Sequence, residues 1–175
     1  MSLRALQVEL GVSHNVLHQR FRSKAGLWRA AVDHGFGGLL SGIDWEPDLD
    51  CAPLDRLLGL IRTFVLANES RPDLLRLVQT EGARASDRLD YLYENYVVVL
   101  EQIIRPTVDA LTADGLLRPA DWPSLYFLIT SGGTALFGSP ALAHLIEPDA
   151  AADPDASARH ADFVADVIVA GLRSR

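Results

Sequence analysis

Five side chains that can both donate and accept hydrogen bonds fall within seven consecutive residues near the start of the chain: Ser13, His14, Asn15, His18 and Gln19. On the first turns of one helix they would form a polar surface of the kind that contacts base edges in a DNA groove. The basic side chains that flank this surface are suited to phosphate oxygens, and they are Arg4, Arg20 and Lys24. For an isolated helix, a solvated polar face is the alternative interpretation.

The elements that must position these side chains are two short helices. An amphipathic segment ends at Gly11, and Ser13 opens a second helix only two residues later. Glycine supplies the left-handed backbone that stops a helix, and a serine hydroxyl caps the free amides of the next one. Helices joined by so tight a turn must cross steeply. The segment is therefore predicted to form a helix-turn-helix, whose second helix enters the major groove of DNA.

This segment resembles the DNA-reading half of the TetR family of bacterial repressors. The residues that carry the resemblance are Val12-Ser13, Leu17, Phe21 and Ser23-Lys24. The resemblance implies that the residues from Ser13 to Gln19 and Lys24 contact DNA. It also implies a homodimeric repressor that binds a palindromic operator in double-stranded DNA and is released by a small apolar or amphipathic effector.

Three positions depart from the pattern of that family. No counterpart of its first helix precedes Leu3, His18 stands where a tyrosine is usual, and Gln7 stands where a small alanine is favoured. We expect the head to be loosely held as a result, with Leu27 and Trp28 as its main cover. The alternative function is that of a helical ligand-binding or interaction protein that no longer binds DNA.

The charge of the chain is unevenly distributed. Its 175 residues carry a net charge of −7, yet residues 1–34 hold five basic and two acidic side chains, and the remainder holds 11 basic and 21 acidic ones. A basic end can meet phosphates while an acidic body is held away from them. The single cysteine, Cys51, excludes an internal disulfide, and no leader or membrane span is evident. These features predict a cytoplasmic protein.

Apolar residues recur at three- and four-residue steps throughout the chain, and no strand pattern is convincing, so the predicted fold class is all-α. A short helix-turn-helix head with its connecting helix is predicted over 1–42, and a larger effector-binding and dimerisation body over 43–175. The connecting helix should begin after a Ser23 cap and end at the glycines from Gly35 onward. Residues 43–53 should form a linker.

About six helices are predicted in the body, and five of them can be located in the sequence. The first carries the apolar stripe from Leu54 to Val65, and the second starts at a capping box formed by Ser70 and Asp73 and ends near Gly82. A long helix, kinked at Pro106, should run to Asp114-Gly115, and two further helices should occupy about 122–138 and 156–173. Because the last two are apolar nearly all round, we expect them to meet a second copy of the chain. The predicted interface comprises Leu125, Leu128, Ile129, Phe163, Val167 and Ile168.

An effector cavity is predicted among residues 54–113. The polar or amphipathic groups that could orient a ligand there are Asn68, Gln79, Tyr93, Asn95 and Tyr96. Each of them could equally be a satisfied core group or an exposed one.

Catalytic and metal chemistry find little support in the sequence. His14 and His18 share a helical face, but no acidic or cysteine ligand lies near them. Neither Cys51 nor Ser131 stands in the context of a nucleophile. We therefore predict no enzyme activity, no metal and no cofactor.

Overall fold

The computed structural model describes residues 19–43, 45, 51–148 and 153–174. Throughout these residues the chain is helical, apart from turns, short connections and one isolated bridge, which confirms the all-α prediction. By its contacts the chain divides into two compact units, one ending at Ser41 and the other beginning at Gly42. The predicted DNA contacts that lie outside the described residues are Arg4, Ser13, His14, Asn15 and His18.

The described part of the first unit is a helix end, a turn and helix α1 (Lys24–Ser41). Ser23 caps α1 as predicted, since its hydroxyl accepts a hydrogen bond from the Gly26 N–H at 3.0 Å. The predicted end is wrong for Gly35, Gly37 and Gly38, because α1 continues through them to Ser41, the residue before Gly42. Gly35 and Phe36 are buried, and burial offsets the low helix propensity of glycine.

The second unit is built around helix α2 (Pro53–Ala67). Helix α9 (Ala156–Leu172) packs along α2, and helix α5 (Val98–Ala113) also packs against it. The core contains aliphatic side chains from all three helices, among them Leu57, Ile61, Val65, Ile104, Leu111, Ile168 and Val169.

Two predicted long helices are each interrupted by one π-helical turn. Helix α4 (Asp87–Leu92) passes through π1 (Tyr93–Val97) into α5, and helix α6 (Trp122–Phe127) passes through π2 (Leu128–Gly132) into α7 (Gly133–Gly138). Pro106 lies inside α5 without ending it. Gly115, at φ +73°, follows the end of α5 where the sequence predicted a stop.

The remaining helices are α3 (Pro72–Gly82) and α8 (Pro140–Ile146). The capping box predicted for α3 is wrong: Arg71 is the N-cap residue, and it makes no side-chain cap. Instead the Arg71 guanidinium donates two hydrogen bonds of 3.1 Å to the Asp73 carboxylate, which lowers the pKa of that carboxyl. Helix α8 was not predicted, and it buries none of its own residues.

The end of α9 is tied back to the loop that follows α5. An isolated antiparallel bridge joins Leu117 to Arg173, and the Arg118 N–H donates to the Leu172 carbonyl at 2.8 Å. No single helix in the described residues is long and apolar enough to cross a membrane. Two consecutive segments joined at a sharp bend, Trp122–Gly138 and Pro140–Ile146, are together long and apolar enough, by length and composition only.

Candidate functional site

Three of the predicted DNA-contacting residues lie in the described part of the first unit. Gln19, Arg20 and Lys24 are all exposed on the surface of this unit. Gln19 and Arg20 belong to the helix that ends at Phe21, and Lys24 is the first residue of α1. Because the first turn of α1 contains no acidic residue, its amide end is not opposed by a side-chain carboxylate there.

Two backbone features define the turn between these helices: the φ angle of Arg22 and a close approach at Gly26. Arg22 has φ +60°, a conformation that L-residues rarely adopt. A Cβ added at Gly26 would lie 2.2 Å from the Phe21 carbonyl oxygen, so only glycine permits this approach. Arg22 is exposed, so that three exposed basic residues, Arg20, Arg22 and Lys24, fall within five residues of the chain. Sequence reasoning did not select Arg22, because an arginine in this conformation leaves no pattern in the sequence.

The second unit carries a surface groove of about 320 Å³ along α5. It is lined by Tyr93, Val98, Glu101, Gln102, Arg105, Pro106 and Asp109. These residues lie beside the buried stripe of Leu100, Ile104 and Val108 on the same helix, so the groove is on the outer side of α5.

Charged and aromatic groups meet in this groove. The Arg105 guanidinium donates to Glu101 Oε1 at 2.6 Å and lies 3.8 Å from Asp109 Oδ2. It also lies 5.7 Å from the ring centroid of Trp122 on α6, a cation–π distance. The Tyr93 hydroxyl donates to Glu101 Oε2 at 3.3 Å. Glu101 therefore accepts from a guanidinium and from a phenol.

Tyr126 stands close to the same carboxylate. Burial, and then the charges of Glu101 and Tyr93, raise the pKa of Tyr126 to about 12. Neighbouring rings fix this side chain, with Trp122 at 6.3 Å and Phe127 at 5.4 Å between centroids.

The five predicted effector ligands do not come together in one site. Asn68 is buried and donates from Nδ2 to the Phe64 carbonyl at 2.7 Å, while Gln79 is exposed on α3. Asn95 is exposed and donates to the Tyr91 carbonyl at 2.8 Å, and Tyr96 packs edge-on against Tyr91. Tyr93 alone among them lines the groove. The i, i+4 series Glu101, Arg105 and Asp109 is the sequence signal that could have indicated this groove.

The predicted interface residues separate into two sets. Leu128, Phe163 and Val167 are more than half exposed. Leu125, Ile129 and Ile168 are not available to a partner, because each is at most 5% exposed and packs in the core of its own chain. For those three the interface prediction is wrong, since both helices must also cover α2 and α5 from one side.

Exposed apolar side chains extend beyond the predicted set. The others on the same stretch of chain are Phe127, Leu136, Leu142, Leu145 and Ile146. Together with Leu128, Phe163 and Val167 we call them the apolar face. They lie on α6 to α9, and the remaining large exposed apolar side chains of the described residues are Tyr93 and Leu116. In the part of the chain that the structure describes, no three His, Cys, Asp or Glu side chains are placed to hold a metal ion.

The fold and these surfaces define an all-helical protein with a small N-terminal unit, an exposed basic turn and a larger body that has an apolar face. No protein-family profile matches the chain. The chain is similar to the nucleoid occlusion factor SlmA of Vibrio atlanticus (strain LGP32) and of Vibrio vulnificus (strain YJ016), with 28% identity over 105 residues in each case. These residues are 57% of this chain and 54% of either relative. The match thus spans about half the length of the curated relatives.

Proposed function

We propose that this chain is a DNA-binding transcriptional regulator of the TetR type, acting in the cytoplasm as a repressor. The observation that carries the proposal is the turn from Phe21 through Arg22 into the Ser23-capped helix α1. It stands where the resemblance requires the recognition helix to end, and it presents Gln19, Arg20 and Lys24 to solvent. The similarity to SlmA over about half of the chain supports the same class of protein.

Homodimerisation is the second part of the proposal, and the apolar face supports it. Phe163 is 67% exposed and Val167 53% exposed on α9, while Leu128 is 53% exposed on π2. Exposed apolar side chains concentrated on a few helices favour protein association. In a two-fold dimer the same patch meets itself, and two heads would then bind a palindromic operator.

Effector control is the third part. The groove along α5 reaches the lower end of the size range of small-molecule sites, and it is formed by the middle helices from which we expect sensing. We propose that the effector binds the body and thereby weakens operator binding by the head.

Selection of duplexes from a random pool tests the proposal. At about 150 mM salt, where non-specific phosphate contacts are weakened, the purified chain should enrich a two-fold symmetric sequence whose half-sites lie about one helical turn apart. Sedimentation of the selected complex should give two chains or a multiple of two per duplex. A pool that stays random while the protein remains folded would support the alternative, a helical ligand-binding or interaction protein.

A further inference from the structure

We propose that the groove along α5 binds an aromatic primary amine, whose ammonium group takes the place of the Arg105 guanidinium between Glu101 and Asp109. The proposal rests on the proposed function in one respect, which is that this amine is the effector. The binding itself is argued from the groove alone.

Carboxylates outnumber cationic side chains in the groove. Glu101 and Asp109 supply two carboxylates, and Arg105 supplies the one cationic side chain among the lining residues. Pro106 adds a further acceptor, because proline offers no N–H to the carbonyl of Gln102 four residues earlier. A net charge of −1, together with the Gln102 carbonyl, favours a ligand that brings positive charge and N–H donors.

Arg105 already shows how a cation fits. Its guanidinium lies over the face of Trp122 and reaches both carboxylates, with the shorter contact to Glu101. The Arg105 side chain is 48% exposed, and exposed ion pairs of this kind contribute little to stability. An incoming ammonium group can displace the guanidinium into solvent, and its advantage over Arg105 comes from the aromatic body that it carries into the groove. We assign Arg105 the role of an internal competitor for the site.

The walls of the groove specify the rest of the ligand. Tyr93, Val98 and Pro106 provide apolar surface beside the carboxylates. The Tyr93 ring is held at its hydroxyl by Glu101, so an aromatic body can stack on it while the ammonium group reaches the carboxylate. A volume of about 320 Å³ accommodates a single-ring or two-ring amine.

Calorimetric titration with probes of matched shape tests the proposal. The probes are 2-phenylethylamine, 3-phenylpropionate and 2-phenylethanol, which share the ring and chain but are cationic, anionic and neutral at pH 7. We expect the amine to bind at least about tenfold more tightly than the acid or the alcohol. Equal affinities for the three probes, or no heat from the amine up to about 10 mM, would overturn the proposal.

Three substitutions sharpen the test. Glu101→Gln should weaken amine binding about tenfold and Asp109→Asn should weaken it less, whereas Arg105→Ala should strengthen it, because the competitor is gone. Glu147→Gln, at an exposed carboxylate outside the groove, is the control and should change nothing. Circular-dichroism melting confirms that each variant is folded. If Arg105→Ala weakens amine binding, the competitor role is contradicted.

The proposed DNA-binding function and the proposed amine site can be tested independently of each other. Titration uses the protein without DNA, and release of the selected duplex by the amine is measured afterwards. Selective amine binding by a protein that enriches no duplex would contradict the regulator and leave the amine site standing. Selection of a duplex by a protein that does not prefer the amine would contradict the amine site alone.

Discussion

Gly133 allows three helices to pack closely at one point. A Cβ at this position would lie 3.1 Å from Val164 Cγ1 on α9 and 3.2 Å from Val65 Cγ2 on α2. Val65 is fully buried, and a β-branched side chain on a helix has one strongly preferred rotamer, so neither neighbour can easily move away. In addition, His160 Nε2 lies 2.8 Å from the carbonyl oxygen of Gly133.

The first prediction concerns this close approach. Gly133→Ala should lower the free energy of unfolding by about 1 kcal/mol, since overpacking outweighs the gain in helix propensity. Gly59→Ala is the matched control, because nothing lies within 4 Å of an added Cβ on that exposed helical position. It should raise stability by about 0.5 kcal/mol. Urea unfolding at one fixed protein concentration measures both, and an equally stabilised Gly133→Ala variant would contradict the packing argument.

The second prediction is a pH dependence at Asp121, the N-cap of α6. Hydrogen bonds from the Ser124 hydroxyl at 2.6 Å and the Ser124 N–H at 3.0 Å lower the pKa of this carboxyl below its ordinary 3.8. A depressed pKa in the folded state contributes stability above the unfolded pKa, and that stability is lost as pH falls through the folded pKa. Asp121→Ala should therefore melt at a lower temperature than the wild type at pH 7, and the gap should narrow below pH 3.8.

Asp121→Asn separates the charge of the cap from its geometry. The amide oxygen still accepts hydrogen bonds but carries no charge, so this variant should lie between the other two at pH 7. A gap between wild type and Asp121→Ala that stays constant down to about pH 2 would show that ionisation of the carboxyl contributes nothing.

Features of single residues could be predicted from the sequence where they depend only on residues nearby in the chain. The Ser23 cap and the stop at Gly115 were predictable, because a cap and a turn depend on neighbours a few residues away. The cap of α3 was not, since the N-cap is Arg71, one residue after Ser70, and its guanidinium pairs with the Asp73 carboxylate. The groove leaves a local signal in the i, i+4 series Glu101, Arg105 and Asp109, whereas the contact of Arg105 with Trp122 joins two helices and no local pattern encodes it.

At the scale of elements, periodicity located the body helices but not their internal breaks. The π-helical turns at Tyr93–Val97 and Leu128–Gly132 keep the helix continuous in the hydrogen-bond ladder, so the apolar stripe shows no gap that marks them. Helix α1 continues past its glycines because Phe36 is buried. Helix α8 was missed since its seven residues are too few for a periodic signal.

The third prediction belongs to the apolar face. Phe163→Glu or Leu128→Glu should raise the dimer dissociation constant at least about tenfold, because a charge would be desolvated at the centre of the proposed interface. Leu116→Glu is the matched control: it lies on the loop after α5, outside that face, is 42% exposed and should leave the constant unchanged. Sedimentation equilibrium measures all three. A wild-type chain that is monomeric and soluble at micromolar concentration would contradict the dimer itself.

At the scale of the whole molecule, composition and charge pointed to two regions of opposite character. The contacts divide the chain at Ser41 and Gly42, and the described basic residues Arg20, Arg22 and Lys24 stand in the first unit. The acidic remainder would be repelled by a polyanion, so only the first unit suits a phosphate backbone. DNA binding is thus an expectation about one small unit, and dimerisation and sensing are proposed for the body.

The fourth prediction separates positioning contacts from base-reading contacts in that unit. Lys24→Ala should weaken binding to all duplexes and reduce the slope of log K against log salt by about one, because one phosphate contact is lost. Gln19→Ala should instead weaken binding mainly to the selected duplex, by about 1–3 kcal/mol.

Sequence-specific DNA binding is tested most directly by the specificity ratio. This ratio is the dissociation constant for a scrambled duplex divided by that for the selected one. We predict a ratio of at least about 10³ for the wild-type chain near physiological salt. The ratio should fall in Gln19→Ala and in Asn15→Ala, and it should be preserved in Lys24→Ala. A wild-type ratio near one, or equal losses on both duplexes in all three variants, would contradict sequence-specific DNA binding by this chain.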